Sequence, residues 1–572
     1  MSAFQERDDQ RGLQMPLGLL ALLALGFVLF GLGSFAILDN NEGLYAEIPR
    51  EMLASHDWRM WVIPHLNGLP YMEKPPLLYW LTACSFALFG ESEWSARLVP
   101  ALSSLACVSL LVWFGNAVRR PLAGRLAALM FVTGLGVMAM AHVLMFDMLL
   151  TALLAAALMY AYRFVSEQEP RFLRRAYAAL ALALLAKGLV ALVLFGLVMG
   201  LFTLVSATSV GGFFRAMAKW FNPGALLVLI AIAAPWHIAA SLTEPVFAWF
   251  YFINEHVLRF LGKREPHDYY AGAWWYYLPR MAIYLFPWSF ILPCLLVRAR
   301  RESGEGDQNE EQVAQHLSRF LWLAWLAPLA FFSVSSAKAN YYLLTVMPFA
   351  AFHLALALEN RRYLHGLVRT VPGVLIGLLA GLGGVAIAMR TVSGAPDEVF
   401  VWGMSQTRFL MVATGGMSLL ALAGAVIAWR VARVGLLAYL ALPVWTLVLL
   451  MTTLPVLEPT ISTRATASYL QATLAGHKVY LYRDFEQQSS LPFYLKQVLP
   501  VIDARSNDLF WGNKLREQNP VMISAEVFTA RLPQESVAVI VMDRQMHDFR
   551  ASAWMSAFKG EKRIGATTIF FN

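Results

Sequence analysis

Charge is scarce in this chain. Asp, Glu, Lys and Arg together make up 14% of its 572 residues, well below the roughly 25% of ordinary soluble domains. Cysteine is scarcer still: Cys84, Cys107 and Cys294 lie far apart, and no CxxC or Cys/His cluster occurs. A disulfide framework and a zinc-finger site are thereby excluded. Neither an internal repeat nor a low-complexity tract is present, so solenoid and fibrous architectures are excluded as well. What fills the chain instead is apolar: 58% of residues are hydrophobic. This composition belongs to an all-α polytopic membrane protein. The formal charge of +8 does not indicate nucleic acid as a partner, because the Lys and Arg residues fall in short clusters between apolar runs.

A window of about 20 residues, enough to cross the hydrocarbon layer, predicts thirteen transmembrane helices near 16–38, 97–116, 122–140, 143–162, 173–187, 189–206, 224–242, 276–297, 319–335, 341–358, 369–388, 408–428 and 434–453. With the N-terminus placed in the cytoplasm, the inside segments carry 20 Lys and Arg residues and the short outside connections carry three, Lys187, Lys338 and Arg390. That asymmetry satisfies the positive-inside rule. The first apolar run is too long for a cleavable signal and ends in Ala36-Ile-Leu-Asp39 without a small-x-small site, so it reads as a retained span.

An odd number of spans puts the C-terminus outside. Residues 1–455 then form the membrane domain with an outer loop at 39–96, and 456–572 form a small α/β domain on the outer, periplasmic side. Short β-type runs at Lys478–Arg483, Pro500–Asp503 and Val537–Met542, with helical stretches at 463–475 and 505–517, carry that reading. The polar loop 298–318 reads as a flexible cytoplasmic linker.

The ionisable residues are not spread evenly over this topology. Loop 39–96, the turn near 142–147, Lys187, segment 243–275 and Ser335–Tyr342 all fall on the outer side. Groups of this kind at a membrane face are costly unless they bind or react with something. The first of them, Asp39-Asn-Asn-Glu-Gly-Leu-Tyr-Ala-Glu-Ile-Pro-Arg-Glu-Met52 followed by Tyr71-Met-Glu-Lys-Pro-Pro76, is the densest.

Taken in order, these motifs resemble a known family. Glu42-x-x-Tyr45-Ala-Glu-Ile-x-Arg-Glu-Met52, Asp57-Trp58, Pro64-His65, Asn67-Gly68, Tyr71-x-Glu-Lys-Pro-Pro-Leu-x-Tyr-Trp80, Phe89-Gly90 and Arg97 are similar to the first outer loop of the aminoarabinose lipid A transferases. Further matches are Phe146-Asp-Met148, Ala186-Lys-Gly188, Pro235-Trp236, Asn254-Glu-His-x-x-Arg-Phe260, His267, Tyr276-Tyr277, Phe332-Ser333, Lys338, Tyr342 and Ser490-Leu-Pro-Phe-Tyr494. The resemblance implies a large membrane glycosyltransferase of the type C fold, related to protein O-mannosyltransferases and dependent on a polyprenyl-phosphate sugar. It implies an inverting transfer to lipid A or another envelope glycolipid in a bacterial inner membrane, with membrane lipids as surroundings. A protein acceptor, or solute transport, are the alternative functions. Transport predicts charges near the membrane midplane, whereas those here sit at one face.

The family usually opens this loop with a pair of carboxylates, and this chain has Asn41 at the first position. An amide carries no charge at neutral pH. Either Asp39 replaces the missing carboxylate, or Glu42 acts with Asp147; these three are the candidate catalytic acids. The departing phosphate needs cations, for which Lys74, Arg259 and Lys338 are candidates, with snorkelling or lipid head-group binding as the alternatives. For Lys187 simple snorkelling is the alternative. Tyr45, Tyr71 and Tyr342 fit the family's donor cavity. Glu73 and His267 match a possible divalent metal pair, although a catalytic zinc site needs three protein ligands. No other cofactor is indicated, and the lipid-linked sugar is a substrate.

Overall fold

The computed structural model describes residues 16–267, 272–296, 308–360, 365–391, 399–431, 435–516 and 519–572. Segment 1–15, with its two arginines, and residues 298–307 of the proposed linker lie outside these.

Among the described residues, eight helices are long and apolar enough to cross a membrane: Glu93–Ala117, Phe146–Glu167, Pro223–Thr243, Gln312–Val334, Asn340–Glu359, Thr370–Met389, Gln406–Arg430 and Leu437–Ile461. Each corresponds to one of the thirteen expected spans. A ninth, Pro121–Val132 with Leu135–Ala141, is bent by 64°. The remaining four expectations fall short of a full straight span, each for its own reason. Leu17–Leu29 has only 13 residues and Val190–Ser206 has 17. Pro170–Lys187 opens on a charged turn containing Arg171, Arg174 and Arg175. The 276–297 stretch breaks at Phe286-Pro287 into Tyr277–Leu285 and a tighter helix Trp288–Leu296, because proline removes a helical donor and disfavours helix at the residue before it.

Burial separates the spans into two groups. Phe146–Glu167 and Asn340–Glu359 are 72% and 89% buried within the protein, whereas Thr370–Met389, Gln406–Arg430 and Leu437–Ile461 are only 17–22% buried. The first group therefore faces protein and can hold polar chemistry. Apolar side chains cover the second, which suits contact with lipid.

The C-terminal segment builds a six-stranded sheet. Its strands are β1 (Lys478–Tyr482), β2 (Val501–Ile502), β3 (Met522–Ile523), β4 (Val537–Met542), β5 (Gly560–Ile564) and β6 (Thr567–Phe571). The spatial order is β3-β2-β1-β4-β6-β5, with parallel pairing from β3 to β4 and antiparallel pairing through β6 and β5. The expected strands at 478, 500 and 537 are present; β3, β5, β6 and the helix Ala525–Arg531 were not anticipated. Alternation with a period of two sends Leu481, Ala538, Ile540 and Ile569 to one face and Tyr480, Val539, Val541 and Phe570 to the other.

Those two faces have different neighbours. Phe528, Phe549 and Trp554 cover the second. The first shares a core with Leu44, Ile48, Leu66 and Leu69 of the outer loop and with Leu144 and Phe146 at the start of a span. Polar contacts fasten the same junction. The Asn67 amide donates to the Leu499 carbonyl and accepts from the Leu499 N–H, both at 2.8 Å. Asn67 and Gly68 both have positive φ, 51° and 76°, which the two-residue turn of the hairpin His65–Leu66/Leu69–Pro70 requires. The helix Asn41–Ala54 lies so close to Ser489 that a Cβ on Gly43 would meet its Oγ at 2.5 Å. The loop and the C-terminal segment thus form one packed layer over the helix ends.

Candidate active site

A cavity of about 700 Å³ lies where this layer meets the spans. Its polar side collects Lys74, Lys187, Arg259 and Arg264 with Glu73, Asp147, Glu255, Glu486 and Asp508. Its apolar side is made by Leu189, Val190, Val193, Phe260, Leu261 and Phe331. Val193, Phe260 and Leu261 are themselves exposed, so the apolar side continues to the outer surface of the protein.

The backbone explains how these side chains converge. Ala186-Lys187-Gly188 ends a helix: Gly188 has φ of 88°, and a Cβ there would lie 2.6 Å from His256 Nε2. His256 Nε2 in turn accepts the Leu189 N–H at 3.0 Å, which leaves its Nδ1–H to donate to the Tyr251 carbonyl. His256 is therefore a neutral fastener of this turn, and Lys187 is aimed into the cavity beside it. The wide π-helical turn Trp249–Leu258 presents Glu255 and Arg259 to the same space. Such turns are uncommon and frequent at functional sites.

Within the cavity most charges are paired. Lys187 binds Asp147 and lies 4.8 Å from the centre of the Tyr342 ring. Arg264 bridges Glu73, at 2.5 Å, and Glu255. Arg259 also meets Glu255, at 3.1 Å, and Lys74 lies 3.7 Å from Glu73 and 3.9 Å from Glu255. Burial opposes the charge on Glu255, but Arg264, Arg259 and Lys74 outweigh it and hold its carboxyl at about 2. Arg264, Arg259 and Lys74 thus share the two carboxylates of Glu255 and Glu73, three cations to two acids at this end of the cavity, which is the arrangement an anion needs.

Of the residues selected from sequence, Lys74, Arg259, Asp147, Tyr45, Tyr342 and Glu73 line the cavity together with Asn41 and Lys187. Five others do not. Glu42 is 1% exposed and both its oxygens are used: Arg97 binds them at 2.8 and 2.9 Å, and the Leu144 and Leu38 N–H groups donate to them at 2.8 Å. Arg97 spends its remaining donors on the Leu32, Phe35 and Ala36 carbonyls. Glu42 is thus held as a structural anchor and does not line the cavity. Asp39 accepts from the Ser490 N–H at 2.9 Å and from its hydroxyl at 2.7 Å, so it ties down the C-terminal segment and does not line the cavity. Lys338 is buried and donates to the Ser333 and Ser335 carbonyls at 2.7 and 2.8 Å. It caps the C-terminal end of a helix and does not line the cavity. Tyr71 lies beneath the cavity wall, its hydroxyl 3.4 Å from both Glu73 and Asp508.

His267 is exposed and accepts a hydrogen bond from the Asn507 amide through its own carbonyl. Glu73, its expected partner, is held by Arg264. Among the described residues no three His, Cys, Asp or Glu side chains come together in a metal-holding group.

Arg264, Glu486 and Asp508 line the cavity without having been singled out from sequence. Arg264 lies only five residues after Arg259 and was within reach of sequence reasoning. Glu486 and Asp508 were not, since nothing in the chain places the tail over the helix ends.

Comparison with known proteins agrees with this arrangement. Residues 73–253 match the family model described as dolichyl-phosphate-mannose-protein mannosyltransferase. An undecaprenyl phosphate-alpha-4-amino-4-deoxy-L-arabinose arabinosyl transferase of Sodalis glossinidius is 34% identical over 361 residues, 60% of this chain and 59% of the relative. The enzyme of the same name from Yersinia enterocolitica is 29% identical over 69% of each chain. The crystal structure of ArnT from Cupriavidus metallidurans bound to undecaprenyl phosphate superimposes with a TM-score of 0.76 at 23% identity, covering 97% of both chains. In sequence the chain is similar to these arabinosyl transferases. It is a multi-pass membrane protein with the fold of that enzyme, and the sequence match to the Sodalis relative spans less than two thirds of that protein's length.

Proposed function

We propose that this protein is an inverting glycosyltransferase that moves an aminoarabinose-like sugar from a polyprenyl-phosphate donor to lipid A or another envelope glycolipid. The observation that carries the reading is the division of one cavity into a cationic end and an apolar side reaching the protein surface. A polyprenyl-phosphate has the same two parts, a charged head and a long hydrocarbon chain. The names of the curated relatives support the choice of donor.

Transfer breaks the bond between the sugar's anomeric carbon and the phosphate oxygen, and charge builds on that phosphate as the sugar becomes oxocarbenium-like. Lys74 and Arg259, already gathered around Glu255, are placed to stabilise it. The acceptor oxygen attacks the opposite face of the sugar. A lipid A phosphate is already anionic and needs no base. For a hydroxyl acceptor, Asp147 is the cavity carboxylate on the helix wall able to take its proton, with Lys187 holding it in place. With Glu73 committed to Arg264, no step is assigned to a metal ion.

The 20-to-3 distribution of Lys and Arg supports a cytoplasmic N-terminus, with the cavity and the 456–572 segment in the periplasm of a bacterial inner membrane. An alkaline phosphatase fusion after residue 572 should then be active, and one within 298–318 inactive.

The deciding experiment is transfer by the purified protein in vesicles containing undecaprenyl phosphate-linked aminoarabinose and lipid A, followed by mass spectrometry. Lipid A bearing one added amino sugar is expected. Unmodified lipid with glycosylated protein would favour the protein acceptor suggested by the mannosyltransferase family model. No transfer to either would overturn the reading.

A further inference from the structure

Asp508 differs from every other charged group of known pairing in the cavity. Asp147 has Lys187, Glu73 has Arg264, and Glu255 has Arg264, Arg259 and Lys74. Among the described residues Asp508 has no cation within ion-pair distance, and the hydrogen bond its side chain receives is a long one, 3.4 Å, from Tyr71. Local structure does not require the carboxylate either. The turn that carries it is closed by other groups: Ser506 Oγ accepts the Leu509 N–H at 3.0 Å, and Glu486 accepts the Asp508 N–H at 3.2 Å. A carboxylate that neither closes its turn nor balances a cation, yet lines a substrate-sized cavity, is available to a ligand.

The charge of the lining points to which ligand. Arg264, Arg259 and Lys74 share Glu255 and Glu73, and Lys187 holds Asp147, so these cations suit an anionic phosphodiester while, among the described residues, none of them pairs with Asp508. A donor whose sugar carries an ammonium group matches both: the phosphate meets the cations and the ammonium meets the spare carboxylate. We propose that Asp508 is the specificity-determining residue for the sugar, accepting a charge-assisted hydrogen bond from the ammonium of an amino sugar. This rests on the donor assignment above. Burial first, then the carboxylates of Glu73 and Glu486, push the Asp508 carboxyl well above its ordinary range against Arg264 and Lys74. An arriving ammonium reverses that penalty, whereas a neutral sugar leaves it in place. Because Asp508 belongs to the C-terminal segment, that segment selects the sugar while the helix ends and outer loop hold the phosphate.

The test uses the full-length protein in vesicles and two donors, undecaprenyl phosphate bearing 4-amino-4-deoxy-arabinose and the same lipid with that amine formylated. Wild type is expected to favour the free amine in kcat/KM by at least about tenfold, the effect of one charge-assisted hydrogen bond. Asp508→Asn should bring the ratio close to one, mainly through KM for the amine donor. Binding of undecaprenyl phosphate without a sugar should be unchanged in the variant, which verifies its fold. A variant that keeps the wild-type preference would overturn the assignment to Asp508 while leaving the donor reading intact. Wild type that binds undecaprenyl phosphate but transfers neither sugar would overturn both.

Discussion

Glu42 and Asp147 make the same type of ion pair in two different settings. At the start of the outer loop, Glu42 and Arg97 are 1% and 0% exposed and every group around them is satisfied by backbone. On the cavity wall, Asp147 and Lys187 are also paired, but both line open space beside Tyr341 and Tyr342. A carboxylate with all its hydrogen bonds made to fixed partners cannot take up a new one without losing an old one. The first pair therefore holds the collar of the site together, and the second is placed to act in it.

The largest effect expected from this contrast is on stability. Glu42→Ala leaves the Arg97 guanidinium buried without its partner, which should cost about 3–5 kcal/mol. Thermal unfolding in detergent should show the loss, whereas Asp147→Asn, which keeps an oxygen to accept from Lys187, should unfold closer to wild type and lose transfer to a hydroxyl acceptor instead. A stable Glu42→Ala protein without activity would return Glu42 to the catalytic group.

Next in size is the cationic end. Lys74→Ala should lower turnover by roughly 10²-fold, the effect of losing one contact to a charge that grows in the transition state. Lys74→Arg should restore only part, because a planar fork replaces a compact charge. Near-normal turnover in a folded Lys74→Ala protein would move the phosphate role to Arg259 and Arg264. Lys338 sharpens the point from the other side. It caps a helix end, so Lys338→Met should keep transfer near wild type and cost roughly 1–2 kcal/mol in unfolding. Loss of transfer with unchanged stability would reinstate it as a phosphate ligand.

The smallest effect is a slope with pH. Burial first, then Glu47, push Glu51 from an ordinary 4.5 up to about 8. The folded protein then keeps a proton that the unfolded chain releases, so this group's contribution is full below about 4.5 and is lost as pH rises towards about 8. Glu51→Gln still accepts the Gly68 N–H and has no proton to lose. Its melting temperature should fall less steeply than wild type over that range; equal slopes would rule out Glu51 as the source.

Much of this protein is written locally. Long apolar stretches must be helices in lipid, since only helices satisfy their own backbone there, and eight of the expected spans have full length. Where Pro287 or a run of arginines interrupts the apolar pattern, the span shortens or breaks. The β-type runs at 478, 500 and 537 are legible because a buried parallel strand is a short continuous apolar run. Strand β5, Gly-Glu-Lys-Arg-Ile at the sheet edge, offers no such signal.

The candidate site was legible only in its inventory. Sequence alone picked out the segments whose carboxylates and cations gather in the cavity around Asp147 and Lys74, because their spacing along the chain and the positions of the spans decide which loops share a side. Which of them face the cavity was decided by tertiary contacts. Glu42 and Lys338 carry the same charges as Asp147 and Lys74 and come from the same group of polar segments, yet one is enclosed by Arg97 and the other by helix-end carbonyls. Asp508 and Glu486 reach the cavity only because the sheet's Leu481 and Ile540 face packs onto Leu44 and Leu66. Long-range packing of that kind depends on shape and burial between segments more than 400 residues apart, as Asn67 and Leu499 are, and no local pattern encodes it.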